Sequence, residues 1–165
     1  VIMKTLTTLM LGLGLTVSAF ATNAAGIGVV DLAKVVENST YLKQQNASLT
    51  QSIKPTSTRL EQLGKESEML QQRAQTANQA EVKTLSAQYQ AKVNEFNTTQ
   101  QGLQSKVQTS LQSSNTVFET RLKQASEQLR KESNVDLILN KNTVVASDAQ
   151  LDLTDKLIQK VNAIK

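Results

Sequence analysis

The chain has 165 residues with 18 basic and 14 acidic side chains, and it contains no Cys, no His and no Trp. Without Cys there is no disulfide framework, thiol nucleophile or lipid-attachment site, and without His the usual general base and the commonest zinc ligand are both missing. Gly64-Lys65 lacks the upstream glycine of a phosphate loop, so the composition argues against an enzyme and against ATP use, and it calls for no cofactor and no metal.

Residues 1–24 read as an export signal rather than as fold. Lys4 precedes an apolar run from Leu6 to Val17 and a small-residue stretch from Ser18 to Ala25, the charge, apolar and small-residue order of a secretory signal. The run is shorter than the roughly 20 residues that span a bilayer. Met3 is the expected initiator, and cleavage is expected after Ala21, Asn23 or Ala24.

Two short apolar runs, Ile27-Gly28-Val29-Val30-Asp31 and Val135-Asp136-Leu137-Ile138-Leu139, bracket a long polar stretch with helical periodicity. A helical stretch whose two ends both lead into strands has to fold back on itself, so it is expected as a hairpin projecting from a small body.

Along the outgoing arm, Leu42, Leu49, Ile53, Leu60, Leu63, Leu70, Ala74 and Ala77 follow a 3-4 pattern with polar gaps at Asn46, Thr56 and Ser67. That is a heptad spacing. Pro55 lies within it, where it removes an amide donor and crowds the preceding turn, so a kink or break is expected near Ile53-Lys54-Pro55, acting as a hinge. Large apolar residues vanish over Gln75–Ala80, which places the tip there.

The returning stripe runs Leu85, Tyr89, Val93, Phe96, Gln100, Leu103, Val107, Leu111, Ser114, Phe118, Leu122, Ala125 and Leu129. Its longer period, an eleven-residue repeat, favours a straight or slightly right-handed course. Arms of unlike period are expected to pack well near the base and loosely toward the tip. Any single apolar residue in the stripes is assigned first to packing between the arms.

After Asn134 the period becomes that of strands. Val135–Leu139, a tight turn at Asn140-Lys141-Asn142, and Thr143–Ala146 predict a β-hairpin, with Ile27–Val30 as a third strand. Asp152 with Asp155 three residues on reads as a helix cap, and Leu153, Leu157, Val161 and Ile164 form one face of a closing helix. The expected class is α+β: a small β-body from both chain ends (25–36 and 133–165) carrying an antiparallel helical hairpin (37–132). So small a core is marginal alone, and open strand edges invite self-pairing, so a homo-oligomer built through the body is expected. Its contact residues would be Ile27, Val29, Val135, Leu137, Leu139 and Val144.

Without residues 1–24 the chain keeps 17 basic and 14 acidic groups. The excess lies near Arg121, Lys123, Arg130 and Lys131, while residues 65–95 balance four against four. This spread is not the dense basic stripe of a nucleic-acid binder.

The order of these segments resembles the Skp/OmpH periplasmic chaperones. It is carried by the signal, Gly26-Ile27-Gly28-Val29-Val30-Asp31, Tyr41 to Leu49 leading to Ile53-Lys54-Pro55 and Arg59-Leu60, the Gln-rich hairpin, Asn134–Asn140, and Asp152-Leu153-Thr154. The resemblance implies a homotrimer in the periplasm of a Gram-negative bacterium, its arms enclosing a cavity that holds unfolded outer-membrane β-barrel proteins without ATP. It also implies weak contact with anionic membrane lipid through basic tips. The arm residues offered for client contact are Met69, Leu70, Arg73, Lys83, Tyr89, Lys92, Val93 and Phe96. This chain departs from the family at the neutral tip. It departs again at a proposed lipopolysaccharide site, where it has Thr99, Thr109 and Ser110 with only Arg121 basic, so that site is not carried over. The alternative reading is a structural coiled-coil spacer of the cell envelope.

Overall fold

The computed structural model describes residues 26–165; the expected signal, initiator and cleavage points lie outside the described residues. The elements run β1 (Ile27–Val30), α1 (Leu32–Glu37), α2 (Thr40–Thr76), α3 (Gln79–Glu132), β2 (Leu137–Asn140) and α4 (Thr154–Ala163). β1 and β2 pair in parallel with Ile27 opposite Leu137 and Val30 opposite Asn140. Adjacent parallel strands need a crossover connection, and here that crossover is the entire helical arm.

The body closes around this pair. Val30, Val35, Phe118, Ala125, Leu129, Leu153, Leu157 and Val161 form one core, drawing on every element except α2 and β2. Partly buried Tyr41, Leu42 and Ile138 pack against it from those two. A methyl group on Gly28 would sit 2.5 Å from Leu153 Cδ1, so the glycine leaves room for the Leu153 side chain that packs on the sheet just before α4. Asn162 of α4 accepts from Thr40 N at 2.9 Å and donates to the Asn38 carbonyl at 3.0 Å, fixing the start of α2. Arg121 lies over the Tyr41 ring, 4.2 Å from its centroid, and donates to the Ile164 carbonyl at 2.7 Å. One side chain thereby joins both arms to the C-terminal segment.

At the end of α3 the chain turns sharply. Asn134 adopts φ 51, a left-handed conformation that Asn tolerates at a helix terminus, and Val135 N returns to the Arg130 carbonyl at 3.1 Å. Arg130 also bonds Glu127, and that bond, with Lys131 beside it, holds the Glu127 carboxyl down at about 2.

The expected β-hairpin does not form. Lys141–Thr143 make a single 3-10 turn in which Thr143 Oγ1 donates to the Asn140 carbonyl at 2.7 Å. That turn directs the chain away from the edge of β2, so Thr143–Ala146, including Val144, has no strand partner. β1 instead gains a bridge from Val29 to Asp152, with Leu153 N donating to the Val29 carbonyl at 2.8 Å. The Asp152 side chain accepts from Thr154 N at 2.9 Å, and α4 starts at Thr154 with Leu153, Leu157 and Val161 buried.

The arm turns at Ala77-Asn78. Asn78 caps α3 in a reciprocal box with Glu81: its side chain accepts from Glu81 N at 3.0 Å, and its own N–H donates back to the carboxylate at 3.3 Å. Packing does not simply weaken toward this tip. Leu63 is fully buried and Leu85 nearly so, whereas the looser stretch lies mid-arm. There Gln45 faces Gly102, Ser105, Lys106, Ser110 and Ser113 across a groove of about 580 Å³. Leu111, placed on the returning stripe by its spacing, is 43% exposed.

Nor does Pro55 break α2, which is continuous from Thr40 to Thr76. The carbonyl that loses its donor to the proline is that of Gln51, four residues back; the next three carbonyls take additional bonds, Ser52 from Lys106 Nζ of the opposite helix at 3.1 Å, Ile53 from Ser57 Oγ and Lys54 from Thr58 Oγ1. Ile53 and Leu60 on either side stay half-buried against α3, holding the helix in line. Because the proline sits in an unbroken helix, Pro55→Ala should raise stability. An interior proline costs about 3 kcal/mol and restricts the unfolded chain by up to about 1 kcal/mol, so a net gain of about 2 kcal/mol is expected in urea unfolding. A variant no more stable than the parent would contradict this account.

Candidate interaction surfaces

Among the described residues no group of three or more Asp or Glu side chains could hold a metal ion, and no helix is long and apolar enough to cross a membrane. What remains are surfaces, and three stand out.

The first is the outer face of the two-stranded sheet. Strand alternation puts Gly28, Val30 and Ile138 toward Leu153 and the core. Ile27 and Leu137, paired in register, therefore project from the opposite side, 39% and 45% exposed. Leu139 and Val144 are half-buried, Val29 is buried, and Val135 packs against the core. Of the six expected contact residues, Ile27 and Leu137 offer the most open surface. Leu151 and Val145 are exposed as well. Val145 was legible as part of an apolar run, whereas nothing in the spacing marked Leu151.

The second surface lies toward the arm tip. Met69, Leu70, Arg73 and Lys92 line one groove of about 490 Å³ together with Glu66 and Gln88. Met69 is the open member at 55% exposed. Val93 and Phe96 are half-buried in the stripe, Lys83 is exposed outside the groove, and the half-buried Tyr89 accepts a hydrogen bond from Gln71 Nε2 at 2.9 Å. The groove thus gathers four of the eight arm residues that the sequence offered.

The third is a cross-arm charge cluster that the apolar stripes did not reveal. Arg59 of α2 bonds Glu95 of α3 through Nε at 3.0 Å, and Lys92 of α3 lies 2.7 Å from Glu66 of α2. Arg59 Nη1 also approaches Glu66 at 3.8 Å. Lys92 is accordingly engaged rather than a free cation. The signal was present as opposite charges flanking Leu63, Arg59 and Glu66 on one helix with Lys92 and Glu95 on the other.

The sequence model of OmpH-like outer membrane proteins matches residues 26–161. The chain belongs to the OmpH-like family. Its fold is similar to the crystal structure of a candidate outer membrane chaperone, OmpH-like, from Caulobacter crescentus CB15, at 20% identity and a TM-score of 0.68, covering 84% of this chain and 85% of that one. No curated protein matches the chain significantly.

In this OmpH-like chain Lys92, Glu66 and Glu95 are engaged across the arm, whereas Lys65, Arg73 and Lys83 enter no ion pair among the described residues. The Lys92 ammonium, aided by Arg59, holds the Glu66 carboxyl below the usual carboxylate range. A carboxyl with a lowered folded value contributes its stabilisation above the ordinary value and loses it as pH falls through the lowered one. An NMR acid titration should place the Glu66 midpoint below 4.5, and Lys92→Met should move it upward. A Glu66 midpoint that ignores the loss of Lys92 would refute the pairing.

Proposed function

We propose that this protein is an ATP-independent holdase of the periplasm that keeps unfolded outer-membrane β-barrel proteins from aggregating until they reach the outer membrane. The observation that carries the reading is the arm of an OmpH-like chain, 37 residues of α2 packed along 54 residues of α3. It presents half-buried Leu70, Tyr89, Val93 and Phe96 and exposed Met69 among Gln, Ser and Asn side chains. Such a surface covers apolar segments through many weak contacts without forming one patch large enough to drive its own aggregation. Met suits irregular partners because its side chain is flexible and polarisable.

Holding a whole unfolded chain calls for several arms acting together, because linked weak contacts gain avidity from effective concentration. Self-association as a homotrimer through the sheet would supply them. Ile27, Leu137 and Leu151 leave apolar surface open in the lone chain, and among the described residues the outer edge of β2 lacks a strand partner. Client release, and any weak contact with anionic lipid, would then follow from the same shallow and reversible contacts.

Two measurements test the parts separately. Light scattering should give a trimeric mass, and Leu137→Asp, which alters an exposed side chain, should shift the mass to monomer while helical circular dichroism is retained. A parent chain that is monomeric at micromolar concentration would sink the assembly. The parent should also suppress aggregation of a urea-diluted outer-membrane barrel without nucleotide, at about one trimer per client, whereas a chain that leaves aggregation unchanged is no holdase.

A further inference from the structure

The distal half of the arm is held differently from its base. Among the described residues, the arm beyond Phe118 buries only Leu63 and Leu85 as large apolar side chains, and the polar groove at Gln45 and Ser110 separates them from the core. Leu63 is flanked by Arg59 and Glu66 on its own helix, with Lys92 and Glu95 opposite. The four charges alternate in the order Glu95, Arg59, Glu66, Lys92 and sum to zero. Both close pairs cross from α2 to α3, so parting the helices breaks them together. Glu66 Oε2 is closed off from solvent and meets no well-angled hydrogen-bond donor, which leaves the Lys92 ammonium at 2.7 Å as its close compensating charge.

We propose that this quartet is an ionic-strength-sensitive latch: it keeps the distal helices zipped over Leu63, and salt lets them part while the apolar base stays closed. The four side chains retain 25% to 43% of their exposure, so ions reach them. Screening shortens from about 10 Å at 0.1 M salt to about 3 Å at 1 M. A single exposed ion pair contributes little; the leverage here comes from shared partners acting where apolar packing is sparse. Acid is the weaker lever. The groups facing the Glu66 carboxyl are Lys92 from α3 with Arg59 and Gln62 from its own helix, and together they keep it ionised well below neutrality. Glu66 and Lys92 are also two walls of the groove that holds Met69 and Leu70, so opening the latch widens that groove.

Pulsed electron-spin distances read the two levels separately. Labels at Gln72 and Ala87, exposed neutral positions, report the distal gap, and labels at Gln44 and Asn115 report the base. Labelled chain is diluted into excess unlabelled chain so that only distances within one arm count. From about 0.05 to about 1 M NaCl the distal distribution should roughly double in width while the basal one holds. Neutralising the quartet (Arg59→Gln, Glu66→Gln, Lys92→Gln, Glu95→Gln) should give a broad distal distribution already at low salt, with no further response. A distal distribution indifferent to salt in the unaltered chain, equal broadening at the base, or a neutral variant that keeps the narrow salt-sensitive form would each overturn the latch. The salt series on the unaltered chain does not depend on any charge variant folding.

Discussion

Everything in this structure depends on the parallel pairing of two four-residue strands that lie more than a hundred residues apart in the chain. Eight residues of ladder are too few to hold such a crossover by themselves, and the pairing survives because other elements pin it at both ends. Asp136 N donates to the Gly26 carbonyl at 2.7 Å while its side chain accepts from Gly26 N. At the far end the N–H of Asp31 donates to Thr154 Oγ1, which ties β1 to the start of α4. α4 then buries Leu157 and Val161 against residues from both arms, so strand pairing, arm geometry and the C-terminal helix form one cooperative unit.

Along the arm three regimes follow one another. The base is an apolar core continuous with the body. The middle is a polar gap of small side chains, where a lysine from one helix satisfies a carbonyl near the proline of the other. The distal part combines one fully buried leucine with cross-arm charges. The stripes on α2 and α3 have unlike periods, and two such stripes cannot interdigitate evenly over their whole length, in keeping with the polar gap between the two packed ends.

The two apolar brackets, the two helical stripes, the turn region and the apolar face of α4 were readable because burial imposes a period on the residues that supply it. The strand expected at Thr143–Ala146 was misread because β-branched Val144 and Val145 carry strand propensity, which is silent on whether a partner edge is in reach. A 3-10 turn decided that. Pro55 was misread in a comparable way, since the penalty for an interior proline is local, whereas α2 is tied along this stretch from the opposite helix, Lys106 reaching the Ser52 carbonyl. The charge cluster escaped notice because ion pairs between helices depend on register across the hairpin, and the Leu, Val and Phe stripes alone left that register open. The Met69 groove was partly legible, since four of the residues offered for client contact, Met69, Leu70, Arg73 and Lys92, line it together.

The crossover topology has a further consequence for how this protein can vary. The strands meet at the bottom of the arm and the helices meet at Ala77-Asn78 at its top, so the body senses that the chain returns and not how far it has travelled. Equal segments removed from or added to α2 and α3 on either side of the turn would leave the ladder, the core and the seat of α4 as they are. At about 1.5 Å per helical residue, about seven residues in each helix would change reach by roughly 10 Å and bring the facing stripes back near their original azimuth. Arm length is therefore a dimension that can be adjusted independently of the fold.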